Sequence, residues 1–355
     1  MDNPLLLNQN GINFLESGVA AGVDNPISSW GSIFFDFDNN AHQDLYVNNM
    51  FQANTLFLNS GTFPCTENAA QANLQANGGA SFSAAVADVD GDGDIDLLVN
   101  NLQNNVQLFI NHEGDNRRWI KYRLIGSGTN TWAIGANIDT TIGESHQFRE
   151  IYAGGNGYLG QNELTIHIGV DDALVVDEAV VNWPGGQITR TLTNIPTNQT
   201  WSIYPPERLG DADGDGTVGI NDFYVFEFFF NGPIEPGCEM MDFDGNSFID
   251  IIDFEGFLAV YSFDLLDCDA DGEIDLTEIL LDPDLDMDQT GILDTCENLG
   301  DLDGSGFVNT SDLLALFASW GMCDSCSQCP ADLDDNCSVG TSDLLILFSN
   351  WGQTF

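Results

Sequence analysis

The sequence is very poor in basic residues. Among 355 residues there are 7 Lys and Arg against 56 Asp and Glu, which gives a formal net charge of −49. No Lys or Arg occurs in the first 116 residues or in the last 147, and the latter carry 33 of the acids. Nucleic-acid binding needs a basic surface that neutralises phosphates, and an anionic membrane surface attracts basic clusters. The composition therefore argues strongly against both classes of partner.

Long apolar runs are lacking as well. The longest, Phe223 to Phe230, is far shorter than the roughly 18 residues of a membrane-spanning helix, so no membrane span is expected. The N-terminal residues MDNPLLLNQNG contain no basic segment followed by an apolar one, so no signal peptide is visible. Because other features below indicate a secreted or cell-surface protein, we expect the chain to be truncated or processed.

Catalytic signatures are also missing. The sequence contains no Gly-x-Ser-x-Gly, His-Glu-x-x-His or Gly-x-x-x-x-Gly-Lys motif. The four histidines, His42, His112, His146 and His167, are isolated in the sequence. We therefore expect a protein that is not an enzyme. The alternative is a hydrolase that uses some of the abundant carboxylates.

What the sequence does contain is enough apolar material for a folded core, since 43% of it is hydrophobic and 24 residues are Phe. Disordered acidic tails are poor in aromatic residues. A chain that is both acid-rich and core-forming is expected to fold around bound cations. Eight cysteines, mostly in the last third, favour disulfides and an oxidising compartment. Cys323, Cys326, Cys329 and Cys337 also have spacings that a zinc site could use, and their pairing is left open.

Internal repeats mark residues 1–115. The segments NPLLLNQNGINF, NTLFLNSGTF and NVQLFINHEG begin at Asn3, Asn54 and Asn105, in steps of 51 residues. Between them lie two acidic loops, 36–44 (loop 1) and 88–96 (loop 2), each followed by a short apolar strand. This strand–loop–strand pattern is typical of propeller blades, which cannot bury both faces alone.

The two acidic loops have the composition of calcium sites, because calcium takes six to eight oxygen ligands from a tightly turned backbone. Loop 2 has Gly93 at the turn, whereas loop 1 has Ala41 there and is the weaker candidate. An Asp-rich turn that binds nothing is the alternative. The candidate ligands are Asp36, Asp38, Asn40 and Asp44 in loop 1, and Asp88, Asp90, Asp92, Asp94 (through its carbonyl) and Asp96 in loop 2. These residues resemble the FG-GAP/VCBS repeats of integrin-like β-propellers, whose loops bind calcium and whose complete propellers need more blades.

Residues 116–205 differ from their neighbours because they hold nearly all of the basic residues. Seven short alternating segments, separated by Gly, Asn or Pro turns, predict an antiparallel β-sandwich. Alternation in KYRLI and QFREI places the basic residues on one face. Solubilising surface charge is one interpretation of that face, and docking onto the acidic neighbouring domains is the other.

The same region resembles an ASPIC/UnbV domain. The resemblance rests on RRWIKYRLIG, on GGNGYL at 154–159, on WPGG at 183–186, and on LTNIP followed by NQT at 192–200. In that family the domain follows FG-GAP/VCBS repeats, as it does here, in proteins related to cartilage acidic protein. The family implies no firm catalytic activity.

After residue 205 the acids follow the spacing of EF-type calcium loops, with oxygen ligands at positions 1, 3, 5, 9 and 12 and usually Gly at position 6. Six such loops, numbered 3 to 8, begin at residues 211, 242, 267, 286, 301 and 332. Their candidate ligands are Asp211, Asp213, Asp215 and Asp222; Asp242, Asp244, Asn246, Asp250 and Asp253; Asp267, Asp269, Asp271, Asp275 and Glu278; Asp286, Asp288, Thr290, Asp294 and Glu297; Asp301, Asp303, Ser305, Asn309 and Asp312; and Asp332, Asp334, Asn336 and Asp343.

Loops 3, 4, 7 and 8 are each followed by a short apolar helix, and both pairs are spaced by 31 residues. Such short helices are unstable alone, so each is expected to bury its apolar face, including Phe223, Phe226, Phe230 and Phe257, against its partner. The duplication resembles type I dockerin modules. In that family Thr310, Ser311, Thr341 and Ser342 would contact a cohesin, although the first pair has apolar residues or Asn there and the expected basic residues are absent. Residues 267–297 resemble a thrombospondin type 3 repeat, with a candidate Cys268–Cys296 disulfide.

The sequence thus predicts a multidomain chain. Its N-terminal part is mainly β, with partial β-propeller-type blades (1–115) and an antiparallel β-sandwich (116–205). Small α-helical calcium modules follow: a dockerin-like pair (208–263), an EF-hand-like segment (264–299) and a second pair (300–355). We expect a secreted or cell-surface, Ca²⁺-binding adhesion protein with a protein or polysaccharide partner, whose part after residue 208 is largely unfolded without calcium. The alternative is a scaffold component that docks a cohesin-like domain.

Overall fold

The computed structural model describes residues 3–76, 80–102, 104–126, 128–154, 159–185, 188–263, 265–266, 272–286, 289, 291–293, 300–303, 305, 307–323, 329–333 and 336–352. Within these ranges the chain is mainly β, with antiparallel sheets and six α-helices. It forms two compact units, residues 1–262 and 263–355. Among the described residues, no helix combines the length and the apolar character needed to cross a bilayer.

The chain begins with a small hairpin and two β-meanders. The hairpin strands β1 (Leu6–Asn8) and β2 (Phe14–Glu16) precede a one-turn helix, α1 (Gly18–Ala21). The first meander consists of β3 (Ser29–Phe35), β4 (Asp44–Asn49), β5 (Thr55–Leu58) and β6 (Thr66–Glu67), and the second of β7 (Ser81–Ala87), β8 (Asp96–Asn101) and β9 (Gln107–Phe109). Both are antiparallel and pack on one core that includes Ile33, Tyr46, Leu56, Leu97 and Val99. They have the form of propeller blades, but the described residues do not close a propeller.

The two meanders are structural copies. Adding 52 to the bounds of β3 and β4 gives those of β7 and β8, and the register shift at Ser29/Gly31 recurs at Ser81/Ser83. The third strands are also related by 52, because Leu45 pairs with Phe57 and Leu97 with Phe109. The step of 51 that we took between the second and third segments is therefore wrong by one residue.

All seven segments of the basic region contain a strand. They are β10 (Arg118–Leu124), β11 (Asn137–Ile142), β12 (Ser145–Glu150), β13 (Ile166–Asp171), β14 (Val175–Asn182), β15 (Thr189–Pro196) and β16 (Thr200–Ile203). One sheet has the order β13-β10-β16 and the other β12-β11-β14-β15. The prediction that all of them are antiparallel is wrong for β16, which runs parallel to β10. A buried bond from Gln147 Nε2 to the carbonyl of Gly169 (2.9 Å) links the two sheets.

A turn of 3₁₀ helix, Pro206–Arg208, leads into the first loop–helix pair, which completes the first unit. The pair contains α2 (Ile220–Phe229), β17 (Gly232–Pro233), β18 (Phe248–Ile249) and α3 (Ile251–Val260). Its core is aromatic: Phe223, Phe226, Phe254 and Phe257 are at most 1% exposed, with ring centroids 5.4 to 6.4 Å apart across the two helices. The predicted burial is thus confirmed for Phe223, Phe226 and Phe257, whereas Phe230, at the end of α2, is only half-buried.

The second unit contains the remaining elements. They are α4 (Asp275–Leu281), a 3₁₀ turn (Pro283–Leu285), α5 (Thr310–Ala318), β19 (Gly321–Met322), β20 (Ser338–Val339) and α6 (Thr341–Ser349). Helices α5 and α6 follow loops 7 and 8 as predicted. They pack around an aliphatic core of Val308, Leu316, Ala331, Val339 and Leu347.

Candidate metal centres

Loops 1 and 2 share one hydrogen-bond pattern, displaced by 52 residues. The last carboxylate of each loop accepts two backbone N–H groups: Asp44 from Phe37 (2.8 Å) and Asn59 (2.7 Å), and Asp96 from Val89 (2.7 Å) and Asn111 (2.8 Å). The first carboxylate accepts the N–H of the turn residue, at 2.9 Å from Ala41 to Asp36 and at 3.1 Å from Gly93 to Asp88. The two loops are therefore built alike despite their different turn residues.

The missing glycine in loop 1 does not prevent the turn. Ala41 takes a left-handed φ of 71°, and Gly93 takes 94° at the matching position of loop 2. The same substitution recurs in the C-terminal loops, where Ser247 has φ 69° and Cys337 has φ 64° at position 6. These side chains are strained in the left-handed region. The pattern of loop hydrogen bonds compensates for that strain.

Both blade loops bring carboxylates together. One oxygen each of Asp36, Asp38 and Asp44 lies within 4.8 Å of the others, and the same holds for Asp88, Asp90 and Asp96. Burial, together with the neighbouring carboxylates, raises the pKa of Asp36 to about 8. Burial also raises the pKa of Asp44 to about 7. Loop 1 is therefore a buried cluster of acids whose ionised form calls for a compensating positive charge.

The remaining candidate ligands of the blade loops have other contacts. Asn40 Oδ1 accepts the N–H of His42, and its amide donates to the carbonyl of Asn59. The carboxylate of Asp94 accepts from Asn39 Nδ2 and from the N–H of Gly114, both at 2.8 Å, so only its carbonyl is available to loop 2. Asp92 lies 2.9 Å from His112 Nδ1.

Sequence reasoning missed four residues at these loops. His112 is not isolated, because it contacts Asp92, and His167 Nε2 lies 2.9 Å from the carbonyl of Gly93. Asn59 and Asn111 hold the last carboxylate of each loop through their N–H groups. A signal existed for the asparagines, since both belong to the repeated third-strand segments, but the wrong step of 51 left them unaligned.

Two side chains of the basic region contact the acids of the blade loops. Arg117 Nη1 lies 2.9 Å from Asp38 Oδ2 and donates to the carbonyl of Asp38 (2.7 Å). Lys121 Nζ lies 3.3 Å from Asp88 Oδ2 and 3.7 Å from Glu163 Oε1, and both the Lys121 and Asp88 side chains are nearly buried. Solubilising charge is therefore the wrong interpretation for these two residues. They join the sandwich to the blades.

The described C-terminal loops that precede α2, α3, α5 and α6 also share one arrangement. In each, one oxygen of the Asp at position 12 accepts N–H groups at position 2 or 3, and the other accepts the N–H of position 9 at 2.6 to 2.9 Å. These aspartates are Asp222, Asp253, Asp312 and Asp343, and each is at most 2% exposed. Position 12 is the third residue of the helix, where a carboxylate stabilises the helix N-terminus. The acids thus hold the loop and the helix together.

Loops 3 and 4 differ in how far their first acids are buried. In loop 3, single oxygens of Asp211, Asp213 and Asp222 lie within 4.8 Å of one another, and Asp215 accepts from Thr217. In loop 4, Asp242 is fully buried and accepts N–H groups from Gly245, Asn246 and Ser247. Burial raises the pKa of Asp242 to about 6. The other candidate ligands of loop 4 accept local hydrogen bonds. Asp244 accepts one from the side-chain amide of Asn246, Asn246 Oδ1 accepts one from the N–H of Phe248, and Asp250 accepts one from the N–H of Ile252.

Loops 7 and 8 are arranged in the same way as loop 4. Ser305 donates its N–H to Asp301 (3.0 Å) and Asp303 (3.1 Å), and Asn309 accepts from the Ser311 N–H (2.8 Å). In loop 8, Asp332 accepts the N–H of Asn336 (3.2 Å). The four proposed recognition residues, Thr310, Ser311, Thr341 and Ser342, are exposed at the starts of α5 and α6.

Loops 5 and 6 are described only in part. Asp275 is buried at the start of α4, which also contains Glu278, and Asp286 accepts the N–H of Gly291 (2.8 Å). The remaining candidates of the C-terminal loops lie outside the described residues, namely Asp267, Asp269, Asp271, Asp288, Thr290, Asp294, Glu297 and Asp334. The candidate Cys268–Cys296 disulfide lies outside them too.

The cysteine cluster forms disulfides. Cys323 is bonded to Cys329, and Cys337 is disulfide-bonded as well. Because these three sulfurs are not thiolates, the zinc alternative is wrong for them. Cys326 lies outside the described residues, and Cys65 and Cys238 are free thiols.

Two family models match the chain. Residues 36–99 match the FG-GAP-like repeat, and residues 126–209 match the model described as ASPIC and UnbV. The order of the two agrees with the sequence prediction. The second match begins after β10, although β10 is the central strand of its sheet.

Curated relatives also match part of the chain. Cartilage acidic protein 1 from Xenopus tropicalis is 28% identical in an alignment of 186 residues that covers 48% of this chain and 28% of the relative. The Homo sapiens protein of that name is 27% identical over 184 residues, covering 48% of this chain and 27% of the relative. The match thus spans little more than a quarter of these relatives. The FG-GAP-like and ASPIC/UnbV matches of this chain together fit an extracellular interaction protein.

Proposed function

We propose that the protein is a secreted or cell-surface, non-catalytic interaction protein whose blade and C-terminal loops bind Ca²⁺. Loop 1 carries the proposal best. Asp36 and Asp44 are buried, Asp38 beside them is half-buried, and Arg117 pairs only with Asp38 among the three. A hard divalent cation with oxygen ligands would neutralise such a cluster. When bound, the cation would supply structural charge neutralisation, and Asp36, Asp38, Asn40 and Asp44 would hold it.

A calcium titration of the metal-stripped full chain tests the proposal. We expect several binding events and a rise in melting temperature. In loop 2, Asp90→Asn removes a candidate ligand that holds no loop hydrogen bond in the structure, so the fold should persist while one site weakens about tenfold or more. Asp172→Asn, at an exposed acid outside the loops, is the matched control. Absence of any calcium-dependent heat or melting shift would refute the proposal.

A second candidate function is docking of a cohesin-like domain through the second loop–helix pair. It is favoured by the exposure of Thr310, Ser311, Thr341 and Ser342 together with apolar side chains repeated at a step of 31 residues. The repeated side chains are Leu314 and Leu345 (69% and 70% exposed) and Phe317 and Phe348 (50% and 48%). The full chain, tested with calcium and with chelator against a cohesin panel, should bind only with calcium. No binding at micromolar concentration would remove this candidate.

A further inference from the structure

A cleft lies where the first blade, the second blade and the sandwich meet. Phe34 and Gln43 line it from the first blade, Val86 and Ile95 from the second, and the segments 149–152 and 161–167 from the sandwich. Clefts at the junction of structural modules are common ligand sites. The segment at 162–163 is fixed to β7, since Asn162 Oδ1 accepts the N–H of Val86 (3.2 Å) and Glu163 donates its N–H to the carbonyl of Val86 (3.3 Å). Hydrogen bonds therefore connect the side of the cleft formed by the second blade to the side formed by the sandwich.

Arg149 is the unusual residue of this cleft. It is the penultimate residue of β12 and is half-buried, and desolvation lowers its pKa. Its guanidinium donates to the carbonyl of Phe148 and to Gln147 Oε1, both at 2.9 Å, and forms no salt bridge with the described residues. Arginine normally pairs with carboxylates in a fork geometry, and a buried charge without a counter-charge is costly. In a chain with 56 acids, a cleft arginine without a carboxylate partner indicates an external anion.

Three acids line the cleft, Asp36, Glu150 and Glu163, and each has another partner. The carboxylate of Glu150 interacts with the hydroxyl of Tyr152. Both oxygens of Asp36 accept loop N–H groups, from Asn40 (3.0 Å) and Ala41 (2.9 Å). Glu163 pairs with Lys121 at 3.7 Å. In the proposed function Asp36 also serves the cation of loop 1, which would remove its remaining attraction for Arg149. The positive charge of Arg149 is thus directed to the cleft.

The other lining groups suit a sugar. The carboxamide of Gln43 makes no hydrogen bond within the described residues, so a donor and an acceptor are available for hydroxyl groups. Phe34 and Tyr152 are 45% and 44% exposed, so each offers part of an aromatic ring to an apolar ligand face. A sugar ring presents hydroxyls at its edge and C–H groups on its faces. The carboxylate of a peptide could also pair with Arg149, but a peptide would leave the exposed rings of Phe34 and Tyr152 unused.

We propose that this cleft binds a uronate-bearing saccharide, whose carboxylate pairs with Arg149, whose hydroxyls contact Gln43, and whose ring packs against Tyr152 or Phe34. The proposal rests on the proposed interaction role, to which it adds a ligand class and a site. It involves the blades and the sandwich together, and neither would form the cleft alone.

Calorimetric titration of the full chain with cellobiouronate, and with cellobiose as the uncharged match, tests the site. We expect the uronate to bind and cellobiose to bind about tenfold or more weakly, because one charge-assisted contact is lost. Arg149→Gln should weaken uronate binding by a similar factor and leave cellobiose unaffected. Arg123→Gln, at an exposed arginine of the same domain, should change neither.

Several outcomes would overturn the proposal. They are no uronate binding, equal binding by Arg149→Gln, and tighter binding of an acetylated dipeptide carboxylate that is also lost in Arg149→Gln. A Gln43→Ala variant provides a second test, because it should weaken the uronate and cellobiose alike without loss of the fold. Calcium titration and melting of Arg149→Gln should match those of the unsubstituted chain. Calcium binding without uronate binding therefore removes only this inference, and uronate binding without calcium binding removes only the calcium proposal.

Discussion

The two loop–helix pairs have the same acid spacing but are stabilised differently. In the first, the inward positions of α2 and α3 are phenylalanines, and Phe226 and Phe257 are fully buried. In the second, the matching positions are Leu316 and Leu347, also fully buried, and a disulfide joins Cys323 to Cys329. The loop pattern therefore specifies where a helix begins, and the residues outside it decide how the pair is held.

The first pair is also attached to the sandwich. The buried guanidinium of Arg190, on β15, donates to the carbonyl of Asp242 in loop 4, and Thr193 donates its N–H to the carbonyl of Gly245 (2.6 Å). Ser247 Oγ donates to the carbonyl of Thr193 (2.6 Å), and Glu239 accepts the N–H of Ser202 (3.0 Å). Docking on an acidic neighbour is thus the correct interpretation of Arg190. This attachment narrows the expectation that the whole part after residue 208 unfolds without calcium: we expect the first pair to depend less on metal than the second.

Chelation should give the largest effect. Cation binding at about a thousand times its dissociation constant stabilises a fold by about 4 kcal/mol per site. After addition of chelator, we expect the amide hydrogens of α5 and α6 to exchange rapidly, while those of α2 and α3 keep most of their protection. Hydrogen exchange with and without calcium measures both pairs in one sample. Equal loss of protection in the two pairs would show that the sandwich contacts do not compensate for the missing cation.

Matched core truncations test the cores themselves. Phe257→Ala should destabilise the first pair by about 3–5 kcal/mol, and Leu347→Ala, at the same position of the second pair, by about 2–5 kcal/mol, because each leaves a cavity. Chemical denaturation in saturating calcium, read at each pair by hydrogen exchange, gives the two values. A negligible cost for Phe257→Ala would contradict the view that the aromatic core holds the first pair.

The attachment to the sandwich is tested by Arg190→Met. It leaves the buried carbonyl of Asp242 without its donor, at a cost of about 1–3 kcal/mol. The loss should appear as faster hydrogen exchange in α3 and as a greater sensitivity of the first pair to chelator, with α5 and α6 unchanged. Arg123→Gln, at an exposed arginine, is the control. If Arg190→Met leaves the chelator response of α3 unchanged, the difference between the pairs has another origin.

Much of the architecture could be predicted from local sequence. Alternation located all seven sandwich strands, and the acid spacing located α2, α3, α5 and α6. Local patterns do not state which strands pair, so the parallel contact of β10 with β16 was missed. They also do not state which polar side chains meet across the fold. Lys121 alternates like a surface residue, but it is buried because Asp88, 33 positions away, supplies its counter-charge.

The same limit applies to the candidate sites. Regular spacing identified the acids of loops 1 and 2, because each loop is continuous in the sequence. The cleft at Arg149 had no such signal, since Gln43 and Tyr152 come from distant segments that only the folded chain brings together. A site formed by one continuous segment can therefore be predicted from the sequence, whereas a site formed by several distant segments cannot.

The smallest effect on stability is expected at the exposed aromatics of the second pair. Phe317 and Phe348, at equivalent positions of α5 and α6, are 50% and 48% exposed, so Phe317→Ser and Phe348→Ser should each change the free energy of unfolding by no more than about 0.5 kcal/mol. The neighbouring buried Leu316→Ala is the contrast. Denaturation of the three variants in calcium measures the difference. A cost above about 1 kcal/mol for either serine variant would mean that these rings are covered in the folded protein, and that the second pair is held by aromatic packing much as the first is.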